Sequence, residues 1–185
     1  MLRIVGGTAR GRRLVVPPRG TRPTSDRARE GLYNSLATDL DLEGARVLDL
    51  FAGSGALGLE ALSRGALVVT FVEHDRVAAD ALRRNLQTVD LPGGVLSRAT
   101  VESYLVAAGA DEPYDLVLAD PPYAYEDTRL ATVLTGLDDD RWLARGGVVV
   151  VERAARSPEP TWPAGVEPHK HKRYGEAVLW YGRRR

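Results

Sequence analysis

The apolar residues fall into short dense runs, separated by longer stretches in which they recur every three or four positions. Residues 47–51, 68–72, 95–98, 116–119 and 148–151 are rich in Val and Leu with little alternation. That pattern marks strands buried on both faces of a parallel sheet. Between them, residues 56–63, 76–89, 101–108 and 128–137 carry a helical period. In the second of these, Val77, Ala81, Leu82, Leu86 and Val89 form one stripe while Arg76, Asp80, Arg83, Arg84 and Gln87 face away. One side of that helix therefore packs on a sheet. Strands alternating with helices imply right-handed βαβ units and an open, doubly wound, mostly parallel α/β sheet.

Both ends of the chain depart from that alternation. Residues 1–16 hold short apolar pieces broken by Gly6, Gly7 and Gly11, which read as a small β-hairpin, and Pro17, Pro18 and Pro23 follow as a stiff connector. Ser25 offers a side-chain N-cap with Asp26 in the first turn, predicting a helix through Ala28, Leu32 and Leu36. Residues 169–174 and 177–181 bracket Gly175-Glu176 and predict an antiparallel hairpin that closes one sheet edge.

A length of 185 residues with 44% hydrophobic content fits one domain with a substantial core. Absence of cysteine excludes disulfides and thiolate zinc sites, and of the three histidines two, His169 and His171, sit in a basic tail. No metal is expected. The start of the chain lacks the apolar core of a signal peptide, and no run approaches the roughly 20 apolar residues of a membrane span. A cytoplasmic location and no membrane partner are the expectation. The net charge of zero conceals a split. Residues 1–30 carry eight arginines against Asp26 and Glu30, a net of +6, and residues 164–185 carry six cations against two acids, a net of +4. Such ends are suited to grip a polyanion; the alternative is a pair of solvated tails.

Val47-Leu48-Asp49-Leu50-Phe51-Ala52-Gly53-Ser54-Gly55-Ala56-Leu57-Gly58 places a strand, a glycine turn and a helix start in succession. Glycines belong there when a ligand must lie against bare backbone at the carboxyl end of the strand. Glu73, at the end of the next strand, stands where a carboxylate accepts bonds from ribose hydroxyls. An adenosine-bearing ligand is indicated. Pyrophosphate would sit at the helix N-terminus, yet Asp49 sends a negative charge toward the same crevice. S-adenosylmethionine, with its ammonium and sulfonium cations, is the better match.

Asp120-Pro121-Pro122-Tyr123 follows another apolar strand and reaches the same sheet edge. Two prolines fix the backbone and remove N–H donors. The Asp120 carboxylate and the Pro121 carbonyl are then two acceptors for one NH₂ group of a base, with Asp120 placed to take up the surplus proton and Tyr123 offering a stacking face.

Four stretches together resemble the RsmD-type 16S ribosomal RNA guanine-N2 methyltransferases, within the class I amino-methyltransferases. They are Arg3-Ile4-Val5-Gly6-Gly7 with Arg10-Gly11-Arg12-Arg13-Leu14, Arg22-Pro23-Thr24-Ser25-Asp26-Arg27 with Arg29-Glu30, the glycine-loop region, and Asp120 to Tyr123. The resemblance implies a seven-stranded Rossmann-like sheet, a basic N-terminal arm over residues 1–24 and a methyltransferase domain over residues 25–185. It implies a monomer acting on guanine N2 of 16S rRNA within an assembling 30S subunit. Asp49, Phe51, Gly53, Gly55, Glu73 and Asp120 would hold the cofactor, with Ala99 and Thr100 meeting its adenine through backbone. Arg10, Arg12, Arg13, Arg22, Arg27 and Arg29 would meet RNA. Tyr33 stands where the family is expected to have phenylalanine. Three rivals fit parts of the pattern: a DNA adenine-N6 methyltransferase, an RNA-binding or assembly module without turnover, and a nicotinamide-dependent oxidoreductase.

Overall fold

In a computed structural model, which describes residues 1–17, 24–107 and 111–185, β1 (Arg46–Leu50) is an inner strand of a seven-stranded sheet, next to the central one. The remaining strands are β2 (Val68–Val72), β3 (Gly94–Ser97), β4 (Tyr114–Ala119), β5 (Leu143–Ala154), β6 (Val166–Tyr174) and β7 (Ala177–Arg184), in the order β3-β2-β1-β4-β5-β7-β6. The first five are parallel. β7 runs antiparallel to both of its neighbours, giving the expected C-terminal hairpin. Chain order reverses between β1 and β4, so the crevice beyond their carboxyl ends is the switch point at which such sheets bind ligands.

Helices cover both faces. On one, α1 (Asp26–Leu36), α2 (Ala56–Ser63) and α3 (Arg76–Val89) bury Leu32, Leu36, Leu59 and Leu82 against Val47, Val69, Leu118 and Val150. On the other, α4 (Val101–Ala107) buries Val101 and α5 (Asp127–Leu137) buries Leu130 and Leu134 against Leu48, Val117 and Val149. Each such leucine contributes about 1.5–3 kcal/mol by leaving water. Ser25 caps α1 as its sequence position predicts, its side chain accepting from the Ala28 amide at 3.2 Å.

The N-terminal segment pairs with itself through the bridge Arg3↔Arg13, flanked by Ile4 N–H to the Arg12 carbonyl at 3.0 Å and Leu14 N–H to the Leu2 carbonyl at 2.9 Å. It packs into the core, since Leu2, Ile4, Ala9 and Leu14 join the same cluster as Leu32 and Leu59. Gly7, at φ 72°, passes so close to α2 that a Cβ would lie 1.8 Å from the Ser63 carbonyl.

Several elements differ from the expected pattern. β5 spans 12 residues, because beyond its apolar run Glu152, Arg153 and Ala154 continue the ladder with β7. β6 and β7 likewise extend into charged residues, which an edge hairpin tolerates since side chains there reach water. In α3 the stripe is rotated: Val77 is exposed and Asn85 is fully buried. Asn85 belongs inside because its amide exchanges bonds with Val15 N–H (2.7 Å) and the Val15 carbonyl (2.9 Å), and also donates to the Ser54 carbonyl (2.8 Å). The Tyr33 hydroxyl is accommodated in the interior by donating to the Leu57 carbonyl at 2.7 Å. The expected end of the third helix, Ala108, lies outside the described residues.

Candidate active site

The turn after β1 uses three left-handed residues at alternate positions, Phe51 at φ 60°, Gly53 at φ 55° and Gly55 at φ 80°. Only the glycines adopt this region without penalty, so Phe51 carries backbone strain of order 1–3 kcal/mol. Its ring packs edge-on against Tyr125, with centroids 4.9 Å apart. Gly55 caps α2, and a Cβ there would meet Leu82 Cδ1 at 2.2 Å.

Asp49 reaches under this turn, and its Oδ2 accepts the Gly58 N–H at 2.8 Å. The carboxylate thus occupies one of the free amides at the start of α2, the place a pyrophosphate would need. Burial, opposed by the Gly58 bond and reinforced by the charge of Glu73, carries the Asp49 carboxyl up to about 7. Glu73 accepts Gly53 N–H on Oε2 (2.8 Å) and Asp75 N–H on Oε1 (2.7 Å), which ties the glycine loop to the end of β2 and fixes the carboxylate.

Register explains why the acids converge. Val72, Leu50, Ala119 and Val151 are successive partners across β2, β1, β4 and β5. The residue that follows each apolar strand end is Glu73, Phe51, Asp120 and Glu152 in turn. Neighbouring strands lie about 4.8 Å apart, so Asp120 and Glu152 are adjacent along the sheet edge. Thr24, just before α1, bridges them, its Oγ1 lying 2.7 Å from Glu152 Oε2 and 3.3 Å from Asp120 Oδ2. Burial, then Glu152 and Asp49, hold the Asp120 carboxyl well above the usual carboxylate range, against the Thr24 bond. Burial raises Glu152 as well.

A cavity of ≈ 340 Å³ brings Asp49, Phe51, Gly53, Glu73, Asp120 and Pro122 together. This is the size range of small-ligand sites. Its donor set suits an adenosine bearing an amino-acid arm: a strand-end carboxylate for ribose hydroxyls, bare backbone at Gly53, and an internal acid for an ammonium group. A second cavity, ≈ 550 Å³, shares Thr24 with the first and is walled by Tyr123, Tyr174 and Glu152. Tyr123 therefore faces a neighbouring chamber, and Pro121 is buried.

Other expected residues fall elsewhere. Ala99 and Thr100 do not line the first cavity. The Thr100 hydroxyl caps α4, accepting the Ser103 N–H at 3.2 Å, which leaves its backbone N–H free of that role. Arg29 cannot meet RNA, because it is 1% exposed and donates to the Thr24 carbonyl (2.7 Å), the Arg3 carbonyl (2.6 Å) and Asp26 (2.8 Å). It braces Thr24 against the start of α1 and the backbone at Arg3. Arg12 is exposed but rests on the last carbonyls of α3, Thr88 and Val89. Arg10, Arg13 and Arg27 are exposed, and Arg27 borders the second cavity. Arg22 lies outside the described residues. Sequence reasoning assigned no role to Thr24 or Glu152. The signal for Glu152 was the same one that marked Glu73 and Asp120, an acid directly after an apolar run.

A glycine loop after the first strand, an acid closing the second, and an Asp-Pro-Pro-Tyr run at the switch point define the class I methyltransferase architecture. The chain belongs to the family described as Conserved hypothetical protein 95, whose model matches residues 2–183. Ribosomal RNA small subunit methyltransferase D of Escherichia coli (strain K12) is 40% identical over 178 residues, covering 96% of this chain and 87% of that protein. A solved structure described as a putative methyltransferase from Escherichia coli superposes with a TM-score of 0.86 at 39% identity, over 99% of this chain and 97% of the other. Magnesium protoporphyrin IX methyltransferase from Synechocystis PCC 6803, solved with bound SAM, shares the fold at a TM-score of 0.66 and 16% identity, over 90% and 87% of the two chains. Among the described residues, no helix is long and apolar enough to cross a membrane.

Proposed function

We propose that this chain transfers a methyl group from S-adenosylmethionine to the exocyclic N2 of a guanine in 16S rRNA, presented within an assembling 30S subunit. The observation that carries the reading is that Asp49, Glu73 and Asp120 wall one cavity. The cofactor-holding set and the acceptor set therefore work on a shared space. The rRNA small-subunit methyltransferases to which the chain is related supply the substrate class.

When bound, S-adenosylmethionine supplies an electrophilic methyl group on a sulfonium centre. Glu73 is fixed to receive the ribose hydroxyls, its position set by two backbone amides. Asp49 meets the ammonium group, which favours the ionised carboxylate. Asp120 receives the hydrogens of the base amine and orients its lone pair, which is catalysis by positioning. A carboxylate held above its usual range is also the more basic one, so Asp120 is suited to keep the proton that the amine releases. Tyr123 stacks on the extruded base, and the exposed Arg10, Arg13 and Arg27 meet phosphates.

The test uses small subunits from a strain lacking the corresponding activity, and in parallel unmethylated DNA, with labelled S-adenosylmethionine. Nucleoside analysis should find the label as N2-methylguanosine in 16S rRNA, which also maps the target. Label in DNA adenine alone would refute the reading.

A further inference from the structure

Glu152 is 8% exposed and sits at the floor of the second cavity, beside Asp120 along the sheet edge. Its Oε2 has the Thr24 hydroxyl at 2.7 Å, and its Oε1 makes no side-chain hydrogen bond among the described residues. That oxygen therefore has acceptor capacity to spare for a group that enters the cavity Glu152 lines. Thr24 has a single hydroxyl hydrogen, and the distances of 2.7 Å to Glu152 and 3.3 Å to Asp120 assign it to Glu152. The floor formed by Glu152 and its sheet neighbour Asp120 thus offers two carboxylate acceptors, and the exposed Arg27 and Arg173 also line the second cavity.

A ligand that completes this floor must bring a row of hydrogens. Guanine does, since its N1–H stands beside the two hydrogens of N2. Adenine and cytosine place a ring-nitrogen lone pair beside their amine, which would face the second carboxylate as acceptor to acceptor. We propose that Glu152 accepts the N1–H of the target guanine while Asp120 holds its N2 amine, so that the two carboxylates select guanine by its row of donors. This rests on the guanine-N2 reading above. Glu152 is a specificity-determining residue on this account, and Thr24 positions it.

The experiment compares methyl transfer into small subunits reconstituted with guanine or with 2-aminopurine at the mapped target. 2-Aminopurine keeps the N2 amine but presents a lone pair at N1. The wild-type protein should prefer guanine by at least about a hundredfold in kcat/KM, because a site built for a hydrogen rejects the analogue lacking it. Glu152→Gln, whose amide also donates, should bring the two substrates to within about threefold while leaving the affinity for S-adenosylmethionine within about twofold. A wild-type protein that uses both bases equally, or a Glu152→Gln variant that keeps the wild-type preference, overturns the proposal while leaving guanine methylation standing. A wild-type protein that labels a base other than guanine overturns the underlying reading, and the proposal with it. Because the wild-type comparison decides by itself, a variant that fails to fold does not remove the test.

Discussion

Asp49 accepts the Gly58 amide at 2.8 Å from beneath the glycine turn, so the acid that distinguishes this loop also caps the helix that follows it. Its carboxyl is carried up to about 7 by burial. Below that pH the group is neutral and offers little to an ammonium ion; above it the anion is available. Affinity for S-adenosylmethionine should therefore rise as pH passes through 7 and level off above. Calorimetric titration at pH 6 and pH 8 should give dissociation constants that differ by roughly five- to tenfold. Asp49→Asn should bind weakly with a flatter profile.

The same burial affects the ligand-free protein. The folded-state pKa of Asp49 lies above its unfolded value near 4, so between about pH 4 and 7 the folded protein binds the extra proton. The associated stability is fully present below that window and is lost as pH rises through it, by on the order of 4 kcal/mol at about 1.4 kcal/mol per pH unit. Asp120 and Glu152, also raised, act with the same sign. Without ligand, the protein should melt at a higher temperature at pH 5 than at pH 8, and Asp49→Asn should reduce the difference.

Gly58 has no room for a side chain. A Cβ would lie 2.4 Å from Phe71 Cε1, 2.7 Å from Val69 Cγ1 and 2.9 Å from Asp49 Oδ2. Gly58→Ala should destabilise the fold by roughly 1–3 kcal/mol through overpacking, read from the denaturant midpoint at unchanged slope. It should weaken cofactor binding as well, because Asp49 must move.

Arg10 and Arg29 should separate cleanly. Arg29→Ala strands the Thr24 and Arg3 carbonyls, which should cost roughly 2–4 kcal/mol of stability. Arg10, which is exposed, should leave stability within about 0.5 kcal/mol when changed to alanine. Its loss should weaken RNA binding and reduce the salt slope of log K by about 1. Equal melting temperatures with equal RNA affinities would contradict both assignments.

Much of the architecture is legible in the hydrophobic pattern because a parallel sheet buries both faces of its strands, and dense Val and Leu runs announce that burial. The outcome is less legible where pairing or polar contacts replace apolar packing. β5 continues through Glu152 and Arg153 because β7 satisfies its backbone, and Asn85 displaces Val77 from the inner face because it serves two carbonyls and an amide. At the site, the glycine loop and the acids within or directly after apolar runs point to Asp49, Gly53, Glu73 and Asp120, and all four line one cavity. Thr24 does not, since only the docking of the N-terminal segment brings it to the sheet edge. Arg29 illustrates the converse: one arginine among eight in a basic segment looks like its neighbours, and only the folded chain distinguishes brace from contact.

On this reading Asp120 acts on the base amine in a cavity it shares with the cofactor. The most direct measurement is single-turnover methyl transfer to small subunits by Asp120→Ala, with S-adenosylmethionine affinity measured on the same protein. The predicted result is a rate lower by roughly a thousandfold with a cofactor dissociation constant changed less than about tenfold. Transfer by the variant at close to the wild-type rate would rule out that role for Asp120.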